Sequence, residues 1–269
     1  MTTTNMGWTE PGVGASNDTW GDLLNAVFDN LDAHAAGLLY GLTLSAAGST
    51  ATFGIAAGAA SGMALASAYT KTTSSWAVGT GQGALDTGSA ANNTGYHVWL
   101  IQRSDTLVVD VLISLSATEP TMPSNYDRKR RIGWMKTDGS AQWVKFSQNG
   151  DEFLWDATVA EQNPATVGTS ASTITLTGVP TGVKVTALLS LNLLNAGANV
   201  SGVVSSLDIA DASVSATNRQ MCTNGSGNIA SYALSVRTNT SAQIRARCDT
   251  ASCSLYVGTV GWIDRRGRD

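Results

Sequence analysis

Two glycine-bearing dipeptides, Asp138-Gly139 and Asn149-Gly150, stand beside runs that alternate or are strongly apolar. They constrain the fold more than any other feature of the chain. Asp-Gly or Asn-Gly between such runs favours a β-hairpin, because a type I′ turn needs a positive φ at both central residues. Before the first turn, Ile132, Trp134 and Lys136 alternate with Gly133, Met135 and Thr137. After it come Trp143, Val144, Lys145 and Phe146, with Ser140 and Ala141 small enough to lengthen the loop. Phe153, Leu154 and Trp155 follow the second turn as a short buried strand.

The same signals recur along the chain. Leu42 and Leu44 alternate with polar residues. Tyr96, Val98, Leu100 and Gln102 alternate with His97, Trp99 and Ile101, which predicts a strand buried on both faces. Residues 107–115 predict a second such strand, with Ser104-Asp105 in the turn between them. The Gly-, Asn- and Ser-rich stretch 80–95 reads as loops. Residues 118–123 read as a rigid connector. Further strands are predicted over 172–177, 183–194, 229–236, 243–248 and 254–263, with a turn at Pro180-Thr181-Gly182. Short strands with frequent turn signals point to a sandwich or jelly roll. Residues 156–169, containing Asn163-Pro164, are the expected linker. The expected fold is mainly β: an arm and short helix over 1–40, a middle β domain over 41–155 and a C-terminal β-sandwich or jelly-roll-like domain over 156–269.

The first 18 residues carry Thr, Gly, Pro and Ser at positions that block regular structure, with Trp8 and Val13 as isolated apolar anchors. Thr19 with Asp22 three residues later resembles a capping box. Leu23, Leu24, Val27, Phe28 and Leu31 then repeat at helical spacing, predicting a helix from about 20 to 33. So short a helix is marginal alone. Trp20, Leu24, Val27 and Leu31 follow a 4-3-4 spacing, which suits either a short trimeric bundle or packing against the helix's own domain.

Charged residues make up 13% of the chain, against about 25% in ordinary proteins. The surface must therefore draw its solubility from Ser, Thr, Asn and Gly, as in β-rich extracellular and virion proteins, or be partly covered in an oligomer. A formal charge of −4 argues against a general nucleic-acid role. Cys222, Cys248 and Cys253 form no C-x-x-C pair. Three small buried thiols are expected, with a Cys248–Cys253 bridge across a hairpin as the alternative. The start of the chain lacks a signal-peptide pattern. Its most apolar stretch, 55–68, has too many small residues for a membrane span.

No catalytic, cofactor or metal residue is expected. His34 and His97 are lone histidines, and Gly79-Thr80-Gly81-Gln82-Gly83 lacks the context of a dinucleotide loop. Asp151 and Glu152 are adjacent, so in an extended segment they point to opposite faces and make no glycosidase pair. Arg128, Lys129, Arg130 and Arg131 read as a solvated strand start, or as partners of Asp127, Asp151 and Glu152. Arg265, Arg266 and Arg268 read as solvated, or as an arm that docks on a neighbour. Trp76 and Trp99 are weak candidates for stacking on sugars.

Two segments carry a resemblance. Tyr126, the basic cluster ending in Arg131-Ile132-Gly133, and the later Phe146-x-Gln148-x-Gly150-Asp151 resemble a segment of tail-fibre and other fibrous virion proteins of tailed bacteriophages. Residues 8–21, followed by Leu24-Asn25-Ala26 and Phe28-Asp29, resemble the amino-terminal leader of phage tail-fibre-like proteins. Together these cover about a third of the chain, and neither holds a catalytic motif. The resemblance implies a non-enzymatic virion protein, assembled as a homotrimer, with no nucleic-acid partner and no membrane span. Trp8, Trp20, Leu24, Val27 and Leu31 would attach it to other virion proteins and to its own copies. Loops around Asn195, Asn199 and Asn224 would face outward to a host surface glycan or protein. A tail fibre or adhesion protein is the first expectation, and a head fibre or capsid decoration protein the alternative. A glycan-processing tail enzyme acting through Asp151 and Glu152 is the remote one.

Overall fold

A computed structural model describes residues 37–195, 199–223 and 230–268, together with positions 21, 22, 24 and 27. The described residues are almost wholly β. The first strands are β1 (Leu39–Gly41), β2 (Leu44–Ser45), β3 (Thr52–Ile55), β4 (Gly58–Ala60), β5 (Met63–Leu65), β6 (Tyr69–Ser75) and β7 (Gly83–Leu85). The next are β8 (Gly95–Gln102), β9 (Val109–Ser114), β10 (Arg128–Lys136), β11 (Phe146–Asn149) and β12 (Glu152–Val167). The last are β13 (Ser172–Thr175), β14 (Thr186–Leu194), β15 (Ser201–Ser205), β16 (Met221–Cys222), β17 (Ala230–Arg237), β18 (Gln243–Cys248) and β19 (Cys253–Ile263).

They form four sheets, ordered β1-β4-β5, β10-β8-β9-β7-β6-β3-β2, β11-β12-β19-β14-β17 and β13-β18-β15-β16. The last two give the sandwich-like part. In β14, Ala187, Leu189, Leu191 and Leu193 are buried and alternate with more exposed residues. In β13, Ile174 is buried between exposed Thr173 and Thr175. This period of two places one face of each strand in the core and the other towards water.

Residues 156–169 are not a linker. β12 runs through 156–167: its first residues, 152–155, pair with β11, and from Val159 to Val167 it pairs with β19. Asn163-Pro164 falls at a register shift between Gln162 and Ala165, where a missing N–H breaks no ladder bond. The hydrophobic core runs on across this point, from Leu39 to Trp262. Aromatic rings join the strands on either side. Trp134 lies edge-on to Trp155 and Trp262, at 6.1 and 5.3 Å. Phe153 stacks on Trp262 at 4.9 Å.

The tight turns differ in detail from expectation. Asn149 pairs with Glu152 across a two-residue turn, and Gly150 has φ +58°, the position a type II′ turn reserves for glycine. At Asp138-Gly139 the loop is longer, closed by a Thr137–Trp143 bridge. There the left-handed residue is Ala141, with φ 57°. Asp138 Oδ1 accepts hydrogen bonds from the amides of Ser140 and Gln142, at 2.8 and 3.0 Å, and so holds the loop open at its wider span. Nor does β10 present one polar face: Arg131, Ile132, Trp134 and Met135 are all buried. A register shift between Arg131 and Gly133 accounts for part of this, because a bulge re-aims the side chains that follow it.

The stretch 80–95 holds one strand that sequence reading missed. β7 is buried and pairs in parallel with β6 and β9. A Cβ on Gly83 would come within 2.0 Å of the Ser75 carbonyl oxygen, so only glycine fits. The preceding Gly-rich loop is pinned from below. Lys71 Nζ, fully buried with Asp110, donates to the carbonyls of Ala77 and Gly79, and the Gly79 amide donates to Asp110.

The cysteines also correct expectation. Cys248 and Cys253, at the facing ends of β18 and β19, form a disulfide, and Cys222 is an exposed free thiol. At the other end, positions 21, 22, 24, 27 and 37 are helical. Among the described residues, no helix is long and apolar enough to cross a membrane.

Candidate functional site

The sequence-predicted residues fall apart spatially. Trp8, Trp20, Leu31 and Asn224 lie outside the described residues. Leu24 is 46% exposed and Val27 half-buried, so Leu24 presents apolar surface that the described chain leaves uncovered. Asn195 donates from Nδ2 to the Ser252 carbonyl at 2.9 Å, tying its loop to the turn before β19. Asn199 is exposed. Trp134, Trp143, Trp155 and Trp262 are core residues. Trp76 is half-buried against Tyr126, 5.2 Å away edge-on.

The basic run of β10 builds a site that sequence reading treated as a solvated strand start or as ion-pair partners of Asp127, Asp151 and Glu152. Lys129, Arg130 and Arg131 line a cavity of about 500 Å³ with Trp99, Ala117, Gly182, Lys184, Asp264 and Arg266. That volume lies within the range of small-molecule sites. Its wall brings β8 and β10 against the turn before β14 and the segment that follows β19.

The ion pairs are not those expected. Arg131 makes a buried two-pronged contact with Asp264, at 2.7 and 2.6 Å. Lys129 pairs with Glu119, and Lys184 with Asp208 at 2.9 Å. Asp151 receives Arg266 at 3.0 Å and also Arg268, while Asp156 pairs with Lys145. Asp151 is therefore an ion-pair partner of the C-terminal arginines. The arm expected to be solvated or to meet a neighbour folds back here: Arg266 is 4% exposed, and its amide donates to Asp264 at 2.8 Å.

Arg130 stands apart. Its Nη2 donates to the carbonyls of Arg266 and Gly267, both at 2.9 Å. Among the described residues it has no carboxylate partner. Its pKa is lowered by burial first and then by the nearby cations Arg131, Arg268 and Arg266. Arg266 is lowered too, by burial first, although Asp151 opposes the shift. Among the described residues, Arg130 Nε and Arg266 Nε and Nη1 are buried without a hydrogen-bond acceptor.

His97 sits behind the Arg131–Asp264 pair. It is 1% exposed, and its pKa falls to about 4, through burial first and then the Arg131 charge, with Asp264 and a backbone hydrogen bond at Thr181 opposing. It is a neutral core histidine at pH 7. The contacts that make this cavity join β10 to residues more than 130 positions away, so no local motif announces them.

No protein-family model, curated protein or solved structure matches the chain.

Proposed function

We propose that this chain is a non-enzymatic structural protein of a tailed-phage virion: a trimeric tail fibre or adhesion protein. It attaches to the particle through its N-terminal segment and displays its β-rich body to the host surface. The observation that carries this reading is the joint occurrence of the two fibre-like segments, at 8–21 and 123–155, in a chain whose described part is almost wholly β. Exposed apolar side chains support the placing of the interface. Leu24, Leu38 and Tyr40 are 46, 51 and 57% exposed and lie in or just after the helical segment. An uncovered apolar surface of this kind suits contact with copies or partners. The sparse charge of the chain agrees with a protein whose surface is partly shared. Trimeric display would strengthen weak single-site contacts with a host glycan or protein by avidity.

Two measurements test it. Sedimentation equilibrium of the purified full chain is expected to give three times the 27.8 kDa of one chain. A quantitative gel of purified virions is expected to give few copies per particle. Many copies would favour the head-fibre or decoration alternative, and a monomer absent from virions would end the proposal.

A further inference from the structure

We propose that the cavity between β10, the 182–184 turn and the 264–267 segment binds one oxyanion, a carboxylate or phosphate group carried by an acidic saccharide. The saccharide source rests on the adhesion reading above; the oxyanion site does not.

Five cationic side chains and one carboxylate line this cavity, in a chain of net charge −4. The asymmetry is local and built by folding. Four of the cations have carboxylate partners: Arg131 with Asp264, Lys129 with Glu119, Lys184 with Asp208 and Arg266 with Asp151. Arg130 has none among the described residues, and the charges of Arg131, Arg268 and Arg266 raise its electrostatic cost. Arg130 is half-buried, and a partly desolvated cation with no counter-charge is held at a cost that another group can relieve.

The orphaned donors make the case specific. Arg266 is 4% exposed, yet among the described residues two of its guanidinium nitrogens have no acceptor, and Arg130 Nε has none either. Missing bonds of this kind are costly to a folded chain. An oxyanion in the cavity offsets the charge of the arginine cluster that lines it, and charge-assisted contacts to such an anion are the strong kind. Arginine is suited to this role by its planar fork. Lys129 and Lys184 stand at more exposed positions, with side chains 27 and 50% exposed, and can steer an incoming anion. Trp99 and Val183 supply apolar wall, suited to the ring of a sugar rather than to a free ion.

The site differs from a nucleic-acid surface in being one concave pocket rather than an extended basic stripe. It also differs from the carboxylate pair of a glycosidase, because its one carboxylate, Asp264, is engaged as the counter-charge of Arg131.

The test is isothermal titration of the full chain with inorganic phosphate, glucuronate and neutral glucose. The expected result is one saturable site per chain for either anion and none for glucose. Tighter binding of glucuronate than of acetate, titrated alongside as the carboxylate without a ring, would place the sugar ring in the site. Arg130→Gln should weaken anion binding by about tenfold or more, the loss of one charge-assisted contact. Because Arg130 also braces the 266–267 backbone, Lys184→Ala provides a second variant, expected to weaken binding about threefold without loss of fold. Arg103→Gln, at an exposed Arg103–Asp105 pair, should leave binding unchanged. Absence of saturable binding to any anion overturns the proposal, as does equal weakening by Arg103→Gln. Tighter binding of single-stranded DNA with a steep salt dependence would also overturn it. Saturable anion binding by a chain absent from virions would uphold the site and refute the adhesion reading alone.

Discussion

Acidification should destabilise the folded chain through His97, by an amount the structure allows to be worked out. The pKa of His97 drops from its ordinary 6.5 to about 4 in the fold, because a buried imidazole beside Arg131 resists a second charge. The folded pKa is depressed, so between pH 6.5 and 4 the unfolded chain binds a proton that the folded chain excludes. Stability therefore rises with pH across that window. The contribution is fully present above pH 6.5 and is lost progressively towards pH 4. At about 1.36 kcal/mol for each pH unit separating the folded and unfolded values, the whole effect is about 3 kcal/mol, of which about 2.5 kcal/mol is already lost at pH 4.5. Urea denaturation of the wild type and of His97→Gln, at pH 7.5 and 4.5 and at one protein concentration, isolates the effect. Contributions common to both proteins cancel in the comparison. The wild type should lose about 2.5 kcal/mol more than the variant on acidification. Equal losses would show that His97 is not buried neutral behind the Arg131–Asp264 pair, and the packing described for β8 and β10 would fail with it.

Removing Asp264 should be severe: Asp264→Ala strands the buried Arg131 guanidinium and should cost about 3–5 kcal/mol in urea denaturation. Reducing the Cys248–Cys253 bridge in a Cys222→Ser background should lower stability by about 2 kcal/mol, the entropy of a loop this short, measured with and without a phosphine reductant. Trp262→Ala removes the ring that stacks on Phe153 and meets Trp134 and Trp155. It should cost about 3–5 kcal/mol and collapse the near-ultraviolet circular dichroism signal.

Local pattern carried much of the fold. The doubly buried strand around Trp99, its neighbour around Val111, and the strands at 172–175, 186–194, 243–248 and 253–263 follow from alternation and turn chemistry alone. What failed was whatever depends on distant partners. Residues 156–169 read as a linker because polar side chains and Pro164 hide a strand through 167 whose support comes from β19, about a hundred residues on. β7 is three residues long, too short for any periodicity, and its parallel neighbours decide it. The basic run 128–131 looked like solvated charge because its partners, Asp264 and the 266–267 carbonyls, adjoin it only after folding. The C-terminal arginines misled for the same reason. The disulfide was legible as a hairpin-spanning pair, but the odd count of cysteines weighed against it.

The central claim concerns where the chain resides, and immunogold electron microscopy of purified virions tests it most directly. An antibody raised against residues 156–269 should label the tail end of the particle, in few copies. Label spread over the capsid would contradict the tail-fibre claim in favour of a head fibre or decoration protein. No label on any particle would contradict the virion claim itself.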